Sequence, residues 1–359
     1  MRSSFLKIDW GLLIPAIVLV FLGLSGIFSI NLSLFRSQVV FFAVSLLGFV
    51  FFSQANLYNF KNYSLSIYIG SILILFIVIL LGVESRGSVR WIDFLGFRAQ
   101  FSEILKPFLM LSLAVFISEK SGRSFKIFFT ILALLFPIFF LIFLQPDLGN
   151  ALIYFFTVLL TLFAFAFPLR YFIFSALTSV LFFPLLWTFL KDYQKERLLI
   201  FFKFRVDPLG SSYNAIQSII AVGSGMFLGK GLGQGTQSLL RFLPERHTDF
   251  IFATLSEELG FVGGLIIVLT FSFLLYRIIV ISNDSDDMFL RIFAVCSFFL
   301  LSTEFLTNVG MNIGLMPIVG VSLPFVSYGG SSLLSNFILL GFLSSISKKF
   351  ERKEVLEIK

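Results

Sequence analysis

Residues 10–30 read WGLLIPAIVLVFLGLSGIFSI, an apolar stretch without a single charged side chain. About 20 such residues are enough for an α-helix to cross the hydrocarbon core of a bilayer. The stretch is longer than the apolar core of a signal peptide, and no clear small-residue cleavage site follows it. We therefore interpret it as the first membrane-spanning helix.

The rest of the chain has the same character. Of its 359 residues, 58% are hydrophobic and only 13% are charged, whereas roughly 25% of the residues in a soluble domain are charged. Ten apolar segments are long enough for a full, tilted or bent span. They cover residues 10–30, 38–52, 65–82, 104–117, 127–144, 151–167, 171–190, 261–281, 292–311 and 333–346. The sequence thus predicts an all-α polytopic membrane protein, a single membrane domain over residues 1–359.

Lysine and arginine are unevenly distributed between the two sides of this predicted bundle. Ten spans place both termini on one side, where basic residues are frequent, including those of the tail at about 347–359. Cytoplasmic loops have this excess of basic residues, so we expect both termini in the cytoplasm. The three arginines of residues 83–102 run against the trend. The net charge of +7 then indicates contact with anionic lipid rather than with nucleic acid.

The predicted outer face has one large loop, about 191–258, between helices 7 and 8. Long connections are usually functional or disordered, and this one contains too many aromatic and aliphatic residues for disorder. The spacing of its apolar residues from 213 to 222 predicts a helix at the membrane interface. Residues 83–102 and the Gly/Pro-rich residues 310–330 complete this face.

Ionisable residues near the outer ends of the spans are the first candidates for function. Glu103 and Lys106 are three residues apart, so on a helix they share a face and can pair. The pair either aids folding or lines a cavity and positions a ligand, since intramembrane charges are functional candidates by default. Asp147, in the sequence QPDLG, is suited to capping the following helix.

Two glycine-containing motifs indicate irregular backbone. Glycines from 223 to 235 surround Lys230, but their spacing does not match a nucleotide-binding P-loop. They form either a tightly turning loop or a place where backbone amides and Lys230 approach a phosphate. Residues 324–332, PFVSYGGSS with Ser327, predict a broken helix, which is tolerated only inside protein or beside a wet cavity. That motif is either a structural kink or a cavity wall.

Residues 241–260, RFLPERHTDFIFATLSEELG, contain the only histidine, His247, and the nearby Asp249. A zinc site built by the protein is disfavoured because there is no second histidine and no cysteine cluster. The charges either form a solvated surface loop or supply a carboxylate with basic neighbours.

The same stretch carries a resemblance to a known family. Residues 244–253, PERHTDFIFA, and the following EELG at 257–260 resemble the signature of the SEDS family (shape, elongation, division, sporulation). The segments QPDLG at 145–149, RWI at 90–92, Glu103 with Lys106, residues 207–235 and residues 324–332 also resemble it. PERHTDF is closer to the RodA elongation branch than to the FtsW division branch. Glu304 stands where family members often have Gln.

The resemblance implies ten transmembrane helices with a large extracytoplasmic loop between helices 7 and 8. It implies a peptidoglycan glycosyltransferase that polymerises lipid II at the outer face of the cytoplasmic membrane during cell elongation. Asp249 matches the essential loop aspartate, the expected general base, and Glu103 and Trp91 match other function-critical positions. We expect an inverting transfer in which basic residues stabilise the pyrophosphate. The substrate-binding or supporting candidates are Glu103, Lys106, Trp91, Arg98, Arg205, Lys230, Arg241, Arg246, His247 and Ser327.

Partners and cofactors are expectations of the same kind. The resemblance implies a class B penicillin-binding protein transpeptidase as partner, besides lipid II, the nascent glycan strand and membrane lipid. No cofactor is required by the sequence, which leaves a divalent cation, Mg²⁺ or Mn²⁺, as an open expectation. A flippase for the lipid-linked precursor is the alternative function, although no internal repeat typical of many transporters is visible. A scaffold that only positions a synthase is a third interpretation.

Overall fold

The computed structural model describes residues 8–85, 88–94, 97–120, 122–202, 212–240 and 242–357. Its helices are α1 Trp10–Ile30, α2 Leu32–Ser53, α3 Leu57–Asn62, α4 Ser64–Leu81, α5 Phe101–Ile104, α6 Lys106–Ser118, α7 Phe125–Leu144, α8 Leu148–Ala164, α9 Leu169–Phe189, α10 Asp192–Phe201, α11 Tyr213–Ser224, α12 Thr236–Leu239, α13 Ile251–Asn283, α14 Met288–Asn312 and α15 Gly330–Glu357. The strands are β1 Val83–Ser85, β2 Ser88–Phe94 and β3 Phe97–Gln100.

Each of the ten predicted spans coincides with one of these helices. Within the described part of the chain, eight helices are long and apolar enough to cross a membrane, and α6 and α8 are shorter apolar helices. The predicted all-α polytopic fold is therefore confirmed, and the chain is a multi-pass membrane protein. The segment between α9 and α13 contains α10, α11 and α12, and α11 includes the helix predicted from residues 213–222. Helix α13 begins at Ile251, within the predicted outer loop.

A small antiparallel sheet between α4 and α5 was not predicted. Strand β2 lies in the centre, with β1 and β3 on either side, and Trp91 is in register with Gln100. Asp93 is in register with Arg98. An open sheet edge is not found in contact with lipid, so this sheet lies away from the lipid-facing surface of the bundle.

The bundle core is built from long helix pairs. Helix α15 packs along α2, and α13 packs between α1 and α14. Helix α14 also contacts α6 and α8, which places its polar side chains inside protein. Many phenylalanines meet edge to face, as Phe52 and Phe342 do at 4.9 Å between ring centroids, a favourable geometry for aromatic pairs.

Gly260 interrupts the helical backbone of α13 with φ +68° and ψ −164°. The glycine run fills this break: the amides of Lys230 and Gly231 donate to the carbonyls of Glu257 and Glu258, at 3.0 and 2.9 Å. Backbone carbonyls freed by a helix break need such partners at membrane depth. The run is thus the tightly turning loop, with positive φ at several of its glycines, and these two amides already have protein acceptors.

The predicted interruption before the last span is also present. Residues 313–329 are irregular between α14 and α15, and most of residues 321–327 are buried. Ser327 stabilises the turn there, because its Oγ accepts a hydrogen bond of 2.8 Å from the amide of Leu323. Non-helical backbone at this depth is tolerated because protein surrounds it.

Candidate functional site

Asp249 lies in the last turn before α13, and α14 fixes its backbone. The side-chain amides of Asn308 and Asn312 each donate to the Asp249 carbonyl oxygen at 3.0 Å. Asn308 also donates to the carbonyl of Val321 at 2.7 Å. Two asparagines four residues apart on one helix face therefore join the Asp249 turn to the irregular segment 313–329.

That segment makes a second connection to the same turn. The Ser327 hydroxyl donates to the carbonyl of Thr248 at 2.7 Å, and the Tyr328 amide donates to the carbonyl of His247 at 2.9 Å. The His247 and Tyr328 rings meet edge to face at 5.6 Å. Ser327 and His247, two of the predicted supporting residues, are thus brought to the Asp249 turn, and both have a positioning contact there.

The Asp249 carboxylate has an unusual electrostatic setting. Burial is the largest influence and raises its pKa to about 6, and the nearby negative charge of Glu245 acts in the same direction. The positive charges of Arg197 and Arg90 oppose that rise. None of the described residues donates a hydrogen bond to this carboxylate. Asp249 is therefore a carboxylate poised near neutral pH.

Arg197, on α10, is the main cation facing Asp249. A Cβ atom added at Gly320 would lie 3.5 Å from Asp249 Oδ2 and 3.9 Å from Arg197 Nη1, so both charged groups lie beside this glycine. The Arg197 guanidinium lies over the Tyr193 ring at 5.5 Å from its centroid. Burial lowers the pKa of Arg197, while the charge of Asp249 acts against that change.

Arg90, on β2, lines a small cleft together with Arg197 and is held by the QPDLG motif. Its Nε donates to the Gln145 carbonyl at 3.1 Å, and its Nη2 donates to the Pro146 carbonyl. Its Nη1 is 3.7 Å from Asp147 Oδ1. The Asp147 carboxylate also accepts from the amide of Asn150 at 3.3 Å, so it caps α8 as predicted.

Glu103 and Lys106 form the predicted pair, with a third member. The Lys106 ammonium is 2.7 Å from Glu103 Oε2 and 2.5 Å from Glu304 Oε1 on α14. All three side chains are buried, and Glu304 Oε2 has no hydrogen-bond partner among the described residues. Lys106 therefore has a local structural role that joins α5, α6 and α14.

The other predicted cations are engaged elsewhere or lie outside the described residues. Lys230 Nζ is 2.9 Å from Glu257 Oε1, and Arg246 Nη1 donates to the Ser238 carbonyl. Arg98 is exposed and lies 3.2 Å from Asp93, and Trp91 is partly buried in β2. Arg205 and Arg241 lie outside the described residues.

Sequence reasoning missed four residues that organise the site: Arg197, Asn308, Asn312 and Gly320. The asparagines carried a usable signal, because polar side chains within an apolar span are expensive and are usually functional. Arg197 carried none, since a cation in a long loop resembles any solvated charge. Arg90 stood in a quoted motif but was not selected as a site residue.

This arrangement supports proton transfer and anion binding rather than a metal centre built by protein alone. Among the described residues, no group of three or more His, Cys, Asp or Glu side chains is placed to hold a metal ion. A carboxylate with a pKa near neutrality can accept a proton from a hydroxyl. Guanidinium groups recognise phosphate oxygens.

Comparison with known sequences is consistent across the whole chain. The profile of the FtsW/RodA/SpoVE family, described as cell cycle proteins, matches residues 5–352. The peptidoglycan glycosyltransferase MrdB of Escherichia coli strain K12 is 40% identical over 282 residues, which cover 78% of this chain and 76% of MrdB. Stage V sporulation protein E of Bacillus subtilis is 34% identical over 318 residues, covering 87% of this chain and 86% of that protein.

Comparison of structures gives the same result. A chain from a peptidoglycan synthase complex that coordinates polymerization and crosslinking has a TM-score of 0.83 at 29% identity, covering 96% of this chain and 99% of that one. The rod shape determining protein RodA of Thermus thermophilus has a TM-score of 0.73 at 25% identity, covering 97% and 99%. The arrangement of helices described above is therefore shared with these proteins.

Proposed function

Because the chain belongs to the FtsW/RodA/SpoVE family, also called SEDS, we propose that it is a peptidoglycan glycosyltransferase that polymerises lipid II during cell elongation. The resemblance expected from the sequence is confirmed. One structural observation supports the chemistry most directly: Asp249 has a pKa of about 6, and Arg197 lies near it beside Gly320. A base with a cation close by suits the transfer of a sugar from a phosphate leaving group.

The proposed step is an inverting displacement. The 4-hydroxyl oxygen of the acceptor GlcNAc forms a bond to the anomeric carbon of the donor MurNAc, while the bond from that carbon to the undecaprenyl pyrophosphate oxygen breaks. The hydroxyl proton passes to Asp249, and both electrons of the broken bond leave with the pyrophosphate. An α-linked donor then gives a β-1,4 product.

The raised pKa of Asp249 suits this task. A general base works best when its pKa lies near the operating pH. At neutral pH a group with a pKa of about 6 is mostly ionised, yet it is a stronger base than an exposed aspartate. Activity is expected to rise as pH increases through about 6 and to fall about tenfold for each unit below it.

The remaining predicted residues are proposed to support this site. Ser327 and His247 position the Asp249 turn, and Arg246 holds the preceding residues through Ser238. Glu103 and Lys106 brace the helices beneath the cleft. Trp91, Arg98, Lys230, Arg205 and Arg241 remain candidates for contact with the sugar-pyrophosphate or the glycan strand.

A divalent cation fits this site only if protein and substrate bind it together. The acidic neighbour of Asp249 is Glu245, and Mg²⁺ is commonly bound by one or two carboxylates together with substrate phosphates. Glu245 is therefore the residue that we propose would hold Mg²⁺ or Mn²⁺ together with the pyrophosphate, because Asp249 has to stay free to accept a proton. Such an ion would neutralise leaving-group charge.

Membrane placement and partners follow from the same proposal. We assign the chain to the cytoplasmic membrane with both termini in the cytoplasm and the Asp249 site outside. Since polymerization is coordinated with crosslinking in the similar synthase complex, we propose a class B penicillin-binding protein transpeptidase as the partner.

The test is lipid II polymerisation by purified protein in detergent. Asp249→Asn should reduce the rate by about 10²–10⁴-fold, the usual contribution of a positioned base. His247→Ala should retain more activity than Asp249→Asn, because it leaves the carboxylate in place. Near-normal polymerisation by Asp249→Asn would exclude the base, and a larger loss in His247→Ala would move the assignment to histidine.

Two further experiments test the cation and the alternative function. In the first, activity that is lost with a chelator and restored by Mg²⁺ or Mn²⁺ would show that a divalent cation takes part. Reconstituted vesicles containing lipid II separate enzyme from transporter. Polymer without translocation supports the glycosyltransferase, and translocation without polymer supports a flippase.

A further inference from the structure

The glycine run has an apolar tip that the proposed reaction does not use. The tip consists of Met226, Phe227 and Leu228, whose side chains are 82%, 65% and 77% exposed. Three consecutive bulky apolar side chains with this exposure are costly in water. Met226 also has φ of +50°, a conformation that a non-glycine residue keeps only where its surroundings fix it. The tip therefore has a defined conformation that leaves its apolar side chains exposed.

Backbone contacts fix the tip against α13. The Phe261 amide donates to the Met226 carbonyl at 2.8 Å, and the Val262 amide donates to the Phe227 carbonyl at 3.2 Å. The rings of Phe227 and Phe261 stack at 6.0 Å between centroids. A Cβ atom at Gly229 would lie 2.1 Å from a carbonyl oxygen of α13, so only glycine permits this close approach. The carbonyls of the tip thus face the helix, as backbone at membrane depth requires.

The depth of the tip in the membrane follows from the length of α13. Trp10 and Tyr276 are exposed and stand next in sequence to the two members of the Asp9–Arg277 ion pair. Trp and Tyr are enriched at membrane–water interfaces. From Tyr276 to Phe261 the helix extends about 22 Å, at about 1.5 Å per residue. The hydrocarbon core is about 30 Å thick, so Phe261 and the adjoining tip lie inside it, near the boundary opposite to Trp10.

The lipid-facing surface of α13 continues into the tip. Exposed apolar side chains repeat at four-residue intervals along this spanning helix, at Phe261, Leu265, Leu269 and Phe273. Phe227 extends that row through its contact with the first of them. Lys230, which follows the tip in sequence, has its ammonium 2.9 Å from Glu257 Oε1. The tip therefore presents a continuous apolar surface, while the neighbouring positive charge is bound to protein.

We propose that residues 226–228 are inserted among the acyl chains of the bilayer. Lipid hydrocarbon is the occupant of this surface, because the tip continues a lipid-facing row and lies within the depth of the hydrocarbon core. The backbone of the glycine run fills the break at Gly260, and its side chains hold that break at a fixed depth. Because the half of α13 before the break begins just after Asp249, this anchor also sets the depth of the Asp249 turn. The inference does not depend on the reaction proposed for Asp249.

Fluorescence quenching in nanodiscs that hold one copy of the protein tests the insertion. The only cysteine is removed as Cys296→Ala, and a fluorophore is attached to Leu228→Cys. We expect a nitroxide on the lipid acyl chains to quench it about as strongly as a fluorophore at Leu269→Cys, an exposed position of α13. Iodide should quench it on the order of tenfold less than a fluorophore at Glu119→Cys, an exposed position after α6, because ions enter hydrocarbon poorly.

Either of two results would overturn the proposal. Quenching by iodide as strong as at Glu119→Cys, without quenching by the lipid nitroxide, would place the tip in water. Protection from both quenchers would mean that protein rather than lipid covers the tip. These measurements need no substrate, so absence of lipid II polymerisation would contradict the proposed function and leave the insertion unaffected.

Gly229→Ala tests whether the contact with α13 holds the tip in lipid, with Gly233→Ala as a matched control. The two glycines have φ of +81° and +71°, but an added Cβ at Gly233 would have only the Cβ of Ser29 nearby, at 4.0 Å. Both substitutions impose the same kind of backbone strain. Quenching by iodide at Leu228→Cys should increase several-fold in Gly229→Ala and stay unchanged in Gly233→Ala. Equal quenching in the two folded variants would exclude this contact as the support of the anchor.

Discussion

Two carboxylates near the start of α13 have opposite surroundings. Glu257 is fully buried, and its oxygens accept hydrogen bonds from the Lys230 ammonium, the Thr236 and Ser238 hydroxyls and the amides of residues 237 and 238. Among the described residues, the side chains of Asn308 and Asn312 hold Asp249 by its carbonyl oxygen, and none donates to its carboxylate. Its carboxylate lies beside Gly320, as does the guanidinium group of Arg197.

The difference shows how the same chemical group serves stability in one place and reactivity in another. A buried carboxylate with several donors is stabilised in its charged form and resists a proton. A partly desolvated carboxylate without donors keeps its affinity for a proton. Fixing the backbone rather than the side chain of Asp249 holds the group in position and leaves both oxygens available to substrate.

Substitution at Glu257 should have the largest effect on stability. In Glu257→Gln, the new NH₂ group faces groups that themselves donate hydrogen bonds, and the charge of Lys230 loses its partner. We therefore expect the free energy of unfolding to fall by about 3 kcal/mol. Thermal unfolding in detergent measures it. The double variant Lys230→Gln with Glu257→Gln should lose less than the sum of the single changes, and a fully additive result would exclude the pairing.

Asp249→Asn should increase the free energy of unfolding, whereas Glu257→Gln lowers it. Its pKa of about 6 in the folded protein lies above the unfolded value, so ionisation disfavours folding above pH 6 and has no effect below about pH 4. Removing the charge should stabilise the protein by about 1–2 kcal/mol at pH 8. The gain should diminish as pH falls through 6. A loss of stability in Asp249→Asn at pH 8 would contradict this prediction.

The sequence predicted the features that depend on local composition. It did not predict contacts between residues that are distant along the chain. Ten spans, the cap at Asp147 and the break before α15 follow from apolar length, a capping residue and paired glycines. The β-strands were missed because short strands beside two spans have little signal of their own. Asp249 was found through its motif, whereas Arg197 and Gly320 are more than 50 residues away on either side, and only folding brings them to it.

Asn312 offers a way to disturb the position of Asp249 without changing its charge. Asn312→Ala removes one of the two donors to the Asp249 carbonyl, and small displacements of a catalytic group are costly. We expect kcat for lipid II polymerisation to fall on the order of tenfold, with little change in KM. Ser218→Ala is the control, because it removes a hydrogen bond to Asn312 but none to Asp249. Unchanged kcat in a folded Asn312→Ala variant would mean that Asn308 alone is sufficient.

A third carboxylate, that of Glu304, should show the smallest effect of substitution on stability. Its Oε1 accepts from Lys106, but its Oε2 has no partner, so a glutamine can keep the Lys106 contact through one oxygen. Glu304→Gln should change the free energy of unfolding by less than about 1 kcal/mol, because Glu103 still pairs with Lys106. Glu103→Gln, which leaves Glu304 as the remaining acid, is the matched variant for thermal unfolding and polymerisation. A larger loss of stability in Glu304→Gln than in Glu257→Gln would contradict this prediction. It would mean that the number of hydrogen-bond donors around a buried carboxylate does not determine how much that carboxylate stabilises the fold. The difference between Glu257 and Asp249 would then need another explanation.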